Sequence, residues 1–90
     1  MRRKPIVTAT KQELAGLITE KLANNGLGQA DAARLLGMKQ PKVSALVNGK
    51  LTGFSVEKLM DLLTKLGADV EIIVRKAPRP ADACVHITAA

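Results

Sequence analysis

Leu14, Leu17, Ile18 and Leu22 recur at intervals of three and four residues, the repeat that lays side chains along one face of an α-helix. The spacing predicts a first helix over about residues 10–24. Thr10-Lys11-Gln12-Glu13 precedes it as a capping box, in which Thr10 satisfies an orphan amide and Glu13 reaches back. Asn25-Gly26 closes it. A second, short helix follows from about Gln29 to Leu36, with Ala32, Ala33, Leu35 and Leu36 as inward candidates and Gly37 as its stop. A third runs from about Gln40 to Val47 with Val43, Leu46 and Val47 apolar, and Asn48-Gly49 ends it. Residues 50–54 form a loop ending in Phe54. Ser55 is then a good N-cap, Glu57 suits the positive end of the helix dipole, and Val56, Leu59, Met60, Leu63 and Leu66 make an amphipathic helix closed by Gly67.

After Gly67 the period changes from helical to alternating. Val70, Ile72 and Val74 alternate with Asp69, Glu71, Ile73 and Arg75, the pattern of a β-strand in a β-branched segment. Residues 76–82 are turn-like, and Cys84 to Thr88 return as a second strand of a hairpin. The chain therefore divides into a basic N-terminal arm over residues 1–9, a helical domain over 10–67 and a C-terminal strand or hairpin over 68–90.

Composition narrows what such a domain can do. Ninety residues, 47% hydrophobic and 24% charged, hold one small core. Phe54 is the only aromatic residue, which argues against single-strand readers that stack bases on ring platforms. Fourteen Lys and Arg against eight Asp and Glu give a net charge of +6, pointing to a polyanionic partner. The apolar runs are too short to span a membrane, and Met1-Arg2-Arg3-Lys4 has no apolar stretch behind it to make a secretory signal. Cys84 and His86 are single, so the chain offers no intrachain disulfide, no zinc cluster and no nucleophile paired with a base. A cytoplasmic protein without catalysis, cofactor or metal is the expectation.

The informative stretch is residues 29–48, QADAARLLGMKQPKVSALVN. Two short helices joined by a turn of about three residues containing glycine make a helix-turn-helix. Ala33 is small, so the second helix can cross close over the first. Gly37 permits the turn, and Val43 and Leu46 pin the second helix to the core. These constraints leave Lys39, Gln40, Lys42, Ser44, Ala45 and Asn48 pointing outward. The charge agrees: from Ala32 to Val56 there is no acidic residue, while Arg34, Lys39, Lys42 and Lys50 fall inside.

QADAARLLG, the following Gln40 and the ending Asn48-Gly49-Lys50 resemble the lambda-repressor-like, or XRE, family of phage repressors and Cro proteins. The stretch GQADAARLLGMKQPKVSALVNGKLTGFSVEKLMDLLTKLGADVEIIV is similar, more narrowly, to regulators related to HigA-type antitoxins, in which a strand follows the helices. One departure is Gly28, where the family often has Thr as the N-cap; glycine serves there at a loss of a few tenths of a kcal/mol. The resemblance implies a mainly α, four-to-five-helix lambda-repressor-like DNA-binding domain with a C-terminal β-strand or hairpin. It also implies a DNA-binding transcriptional regulator, a dimeric repressor, and the antitoxin of a toxin–antitoxin pair. The rival within that class is a free-standing phage-type regulator. From a different class, the same fold could bind a toxin or polymerase without reading DNA sequence.

In a helix-turn-helix the second helix enters the major groove and its N-terminal residues meet base edges. Gln40 is the best base reader, because its amide can pair with adenine through two hydrogen bonds. Pro41 is tolerated in the first turn but disfavours helix at Gln40, leaving Lys39 and Gln40 as alternative N-caps. Lys39 and Lys42 either read guanine or neutralise phosphate. Ser44 can bond a base or a phosphate, and Ala45 can pack on a thymine methyl. Gln29 opens the first helix of the motif, where free amides favour phosphate. By resemblance its side chain also binds phosphate or steadies Gln40. Asn48, Lys50 and Ser55 are further phosphate candidates, and Arg2-Arg3-Lys4 is either a minor-groove arm or a tail. One domain reads too few base pairs for useful specificity, so a homodimer on a two-fold site of double-stranded DNA is expected, with Val70, Ile72 and Val74 pairing the copies.

Overall fold

Helix α1 runs from Ile6 to Asn24, followed by α2 (Gln29–Leu36), α3 (Gln40–Val47), α4 (Val56–Lys65) and a single 3-10 turn at Pro80–Asp82. These elements come from a computed structural model that describes the backbone of residues 6–89 and the side chains of 9–89. The Arg2-Arg3-Lys4 arm lies outside the described residues.

Helices α2, α3 and α4 fall where the apolar spacing and the glycines place them, because their ends are decided locally. At α2, Gly37 takes φ 67° and ψ 37°, a left-handed conformation that costs a side-chain-bearing residue about 1 kcal/mol or more. The Met38 N–H then donates to the Ala33 carbonyl (2.9 Å) and the Gly37 N–H to that of Arg34 (3.3 Å), closing a Schellman motif. The same pair of bonds ends α1, α3 and α4. At the other end of α4, the Lys58 amide donates to Ser55 Oγ at 3.0 Å, so Ser55 is the N-cap.

The core is aliphatic around one ring. Helix α1 packs on α4 and α3, and α2 packs on α3 and α4. Ile18, Leu36, Val43, Leu46, Leu59 and Leu62 are fully enclosed, together with Phe54 from the loop before α4. Each of these aliphatic side chains contributes about 1.5–3 kcal/mol of burial. No buried side-chain nitrogen or oxygen of the described residues lacks a partner.

Four expectations are corrected. Helix α1 begins at Ile6, not at Thr10, and takes residues 6–9 out of the proposed arm. Thr10 is buried inside the helix, four residues past its start, and so is not its N-cap. Glu13 consequently has no role at a helix start; its Oε2 accepts from the Ile87 amide at 2.8 Å. Leu35 is 48% exposed, because α2 turns Ala32 and Leu36 to the core and only one helical face can be covered, while Leu62 of α4 joins the core unannounced.

In the C-terminal segment, neither the expected strand nor the hairpin forms among the described residues. A strand exists only as part of a ladder, and residues 84–88 do not supply one. Ile87 is tied instead to α1 through Glu13 and packs against the helical core. Residues 69–78 therefore make no backbone hydrogen bond among the described residues. Val70, Ile72, Ile73 and Val74 all stand exposed, Val74 at 91%.

Candidate nucleic-acid interface

Helices α2 and α3 with the turn Gly37–Lys39 form the helix-turn-helix. Ala32 and Leu36 of α2 and Val43 and Leu46 of α3 are buried in the shared core, which fixes how the second helix crosses the first. Lys65 of α4 supports the turn from behind. Its Nζ donates to the Leu36 carbonyl at 3.3 Å and is held by Asp61 Oδ2 at 3.6 Å, so a cation sits at the negative end of α2.

The start of α3 resolves the N-cap. Lys39 has extended backbone (φ −74°, ψ 146°) and its carbonyl accepts from the Lys42 and Val43 amides, so Gln40 is the first helical residue and Pro41 the second. Gln40 is exposed, and its amide makes no hydrogen bond among the described residues. The ammonium groups of Lys39 and Lys50 are also exposed, with no hydrogen-bond or ion-pair partner among those residues.

Other candidates are engaged within the chain. Lys42 Nζ donates to the Gly53 carbonyl at 3.0 Å and lies 4.7 Å from the centre of the Phe54 ring. Asn48 turns back on its own helix, its Nδ2 donating to the Ser44 carbonyl at 2.8 Å. Ser55 Oγ accepts the Lys58 amide, although its own proton remains available to a ligand. Ser44 and Ala45 are half-buried, Ala45 against the core, which narrows the outward face of α3 to Gln40, Pro41 and Lys42, with Asn48 exposed just past its end. Gln29 is exposed at the head of α2, behind Gly28, which caps with backbone alone, and borders a shallow depression also lined by Val43 and Val47 of α3.

The chain therefore brings Gln29, Lys39, Gln40, Lys42, Lys50 and Ser55 onto the motif and the loop tied to it, and leaves Val70, Ile72 and Val74 on the tail. Two contributors were not legible in advance. Gln12 of α1 donates through Nε2 to the Gly49 carbonyl at 3.3 Å, steadying the turn that presents Lys50. Lys65 is the other. Both reach across the fold to backbone carbonyls, for which a sequence carries no signal.

The ion pairs of the described residues are exposed and local: Arg34 with Asp31 within α2, Asp61 with Lys58 and Lys65, and Arg79 with Asp82. None neutralises α3. Among the described residues no group of three His, Cys, Asp or Glu side chains is placed to hold a metal, and no helix is long and apolar enough to cross a membrane.

Against known proteins, residues 6–75 match a helix-turn-helix domain family. A solved structure described as an XRE-family transcriptional regulator superposes with a TM-score of 0.90 at 50% sequence identity, covering 94% of this chain and 97% of that one. No curated protein matches the chain.

Proposed function

This chain belongs to the helix-turn-helix domain family and is an XRE-type regulator, and on that premise we propose that it is a sequence-specific transcriptional repressor that binds double-stranded DNA as a homodimer. Helix α3 enters the major groove and α2 crosses the phosphate backbone. Gln40 carries the reading: an exposed, unbonded amide at the first position of α3, in a stretch free of acidic residues. It pairs with adenine through two hydrogen bonds, worth about 1–3 kcal/mol of discrimination per half-site. Lys39 and Lys50 neutralise phosphates, and Gln29 and Ser55 add phosphate contacts at the starts of α2 and α4. Ser44, Ala45 and Asn48, drawn toward the helix, contribute at shorter reach. Lys42 acts chiefly by holding the loop before α4.

Two domains are needed because one covers too few base pairs to be selective. The exposed, unbonded segment 69–75 supports pairing of the copies there. Repression then follows from occupancy, since a dimer over its own promoter excludes polymerase. The HigA-like stretch extends the reading to an antitoxin that represses its own operon. Co-purification with the product of a small neighbouring gene would establish that extension, and the absence of any such gene would remove it.

The test is binding to a duplex from upstream of its own gene beside a scrambled duplex of equal length, at about 150 mM salt. Preference by about a hundredfold or more is expected for an operator. Equal binding to both would overturn the proposal in favour of the second reading, a protein-interaction module. The exposed apolar tail is the observation that favours that alternative.

A further inference from the structure

Segment 69–75 is self-complementary when placed antiparallel to a second copy of itself, and this specifies a register. In such a pair, residue i of one copy faces residue j of the other with i + j constant, and facing residues share a side of the ladder. A two-fold axis through the ladder requires i and j to be both even or both odd. Centring on residue 71 sets Glu71 against Glu71. Centring on 73 sets Glu71 against Arg75 and Ile73 against its mate, but it also sets Val70 against Lys76, which breaks the apolar side. Centring on Ile72 sets Val70 against Val74 twice and Ile72 against its own mate, so one side of the ribbon is an uninterrupted apolar ladder. On the other side it sets Asp69 against Arg75 twice, opposite charges directly across the pair, and Glu71 beside them against Ile73.

We infer that the homodimer forms by antiparallel pairing of residues 69–75 about a two-fold axis at Ile72, with Asp69 of each copy facing Arg75 of the other. The inference deepens the dimer reading above and rests on it. The occupant is a second copy because the segment itself supplies both halves of the apolar ladder and both partners of the Asp69–Arg75 pairs. Within one chain neither Asp69 nor Arg75 has an ion-pair partner among the described residues. The backbone groups of the segment are likewise unbonded, and Ile72 and Val74 are 76% and 91% exposed. Each of these is a property of an edge whose second strand is missing.

The full chain tests this by sedimentation across a concentration series. Asp69→Lys and Arg75→Glu should each weaken dimerisation about tenfold, since each change touches two symmetry-related pairs. The double variant should return to within about threefold of the parent. These positions lie outside the helical core, so the helix content of every variant should match the parent by circular dichroism.

A second measurement reads the register. In a Cys84→Ser background, Ile72→Cys should oxidise to a covalent dimer, because directly facing Cβ atoms are about 5 Å apart. Ile73→Cys and Val74→Cys should stay monomeric on denaturing gels. Crosslinking through residue 73 instead of 72, or a double charge variant as weak as the two losses combined, would overturn the register while leaving the dimer. A parent chain that remains monomeric at all concentrations, with and without its DNA, would overturn the dimer reading itself.

Discussion

The Lys42 ammonium lies 4.7 Å from the centre of the Phe54 ring and donates to the Gly53 carbonyl beside it, tying the outer face of α3 to the loop that leads into α4. The loop's only ring is in the core, so its position is already fixed from the inside. Lys42 fixes it from the outside. A lysine expected to address DNA is thus partly occupied in shaping the surface that does so.

Replacing Lys42 with Met keeps the stem over the ring and removes the charge. Stability should fall by about 0.5–1 kcal/mol, the worth of an exposed cation–π contact, read as a lower urea midpoint at unchanged slope. Operator binding should weaken while the slope of log affinity against log salt changes by less than the roughly 0.9 that marks one lost phosphate contact. A drop of that full amount would make Lys42 a phosphate ligand instead.

Gly53→Ala should act on the same contact from the other side. A Cβ there would stand 2.7 Å from Lys42 Nζ, and the ammonium, at the free end of a flexible chain, would move away. The loss should be less than about 1 kcal/mol, and largely absent in the Lys42→Met background. Additive losses in the double-mutant cycle would contradict the coupling.

Two further glycines should respond with opposite signs. Gly37→Ala forces a side-chain-bearing residue into φ 67° at the turn of the motif, costing about 1 kcal/mol although the new Cβ meets only Lys65 Nζ at 3.8 Å. Gly16→Ala lies inside α1 with nothing within 4 Å, and should stabilise by about 0.5–1 kcal/mol. Thermal midpoints of the two variants, one below and one above the parent, check both.

Glu13→Ala removes the acceptor for the Ile87 amide. Hydrogen exchange at Ile87 should accelerate severalfold with no change in the amides of α4. Unaltered exchange at Ile87 would mean that packing against the core, without the Glu13 bond, holds the tail.

What was legible in the chain follows from the range of the interactions involved. The Ala33–Gly37–Met38 turn, the Ser55 cap and the apolar spacing of α2 to α4 are settled within five or six residues, and those helices stand where the spacing places them. The early start of α1 was hidden because Thr10-Lys11-Gln12-Glu13 reads as a valid local cap, yet it lies inside the helix. Gln12 on Gly49, Lys65 on Leu36 and Lys42 on Gly53 join residues 37, 29 and 11 apart, and nothing local announces them. Alternation at 69–75 has the period of a strand, but no strand forms there among the described residues. It could not say that the single chain would leave the ladder unmade.

The most direct measurement is the ratio of affinities for the chain's own upstream duplex and a scrambled one, taken for the parent and for Gln40→Ala across a salt series. The account predicts a large ratio for the parent. It predicts a ratio reduced at least tenfold in Gln40→Ala, with the salt slope of both proteins the same, because the lost contact is to a base and not to a phosphate. A variant that keeps the parent's ratio would contradict the assignment of sequence reading to the head of α3.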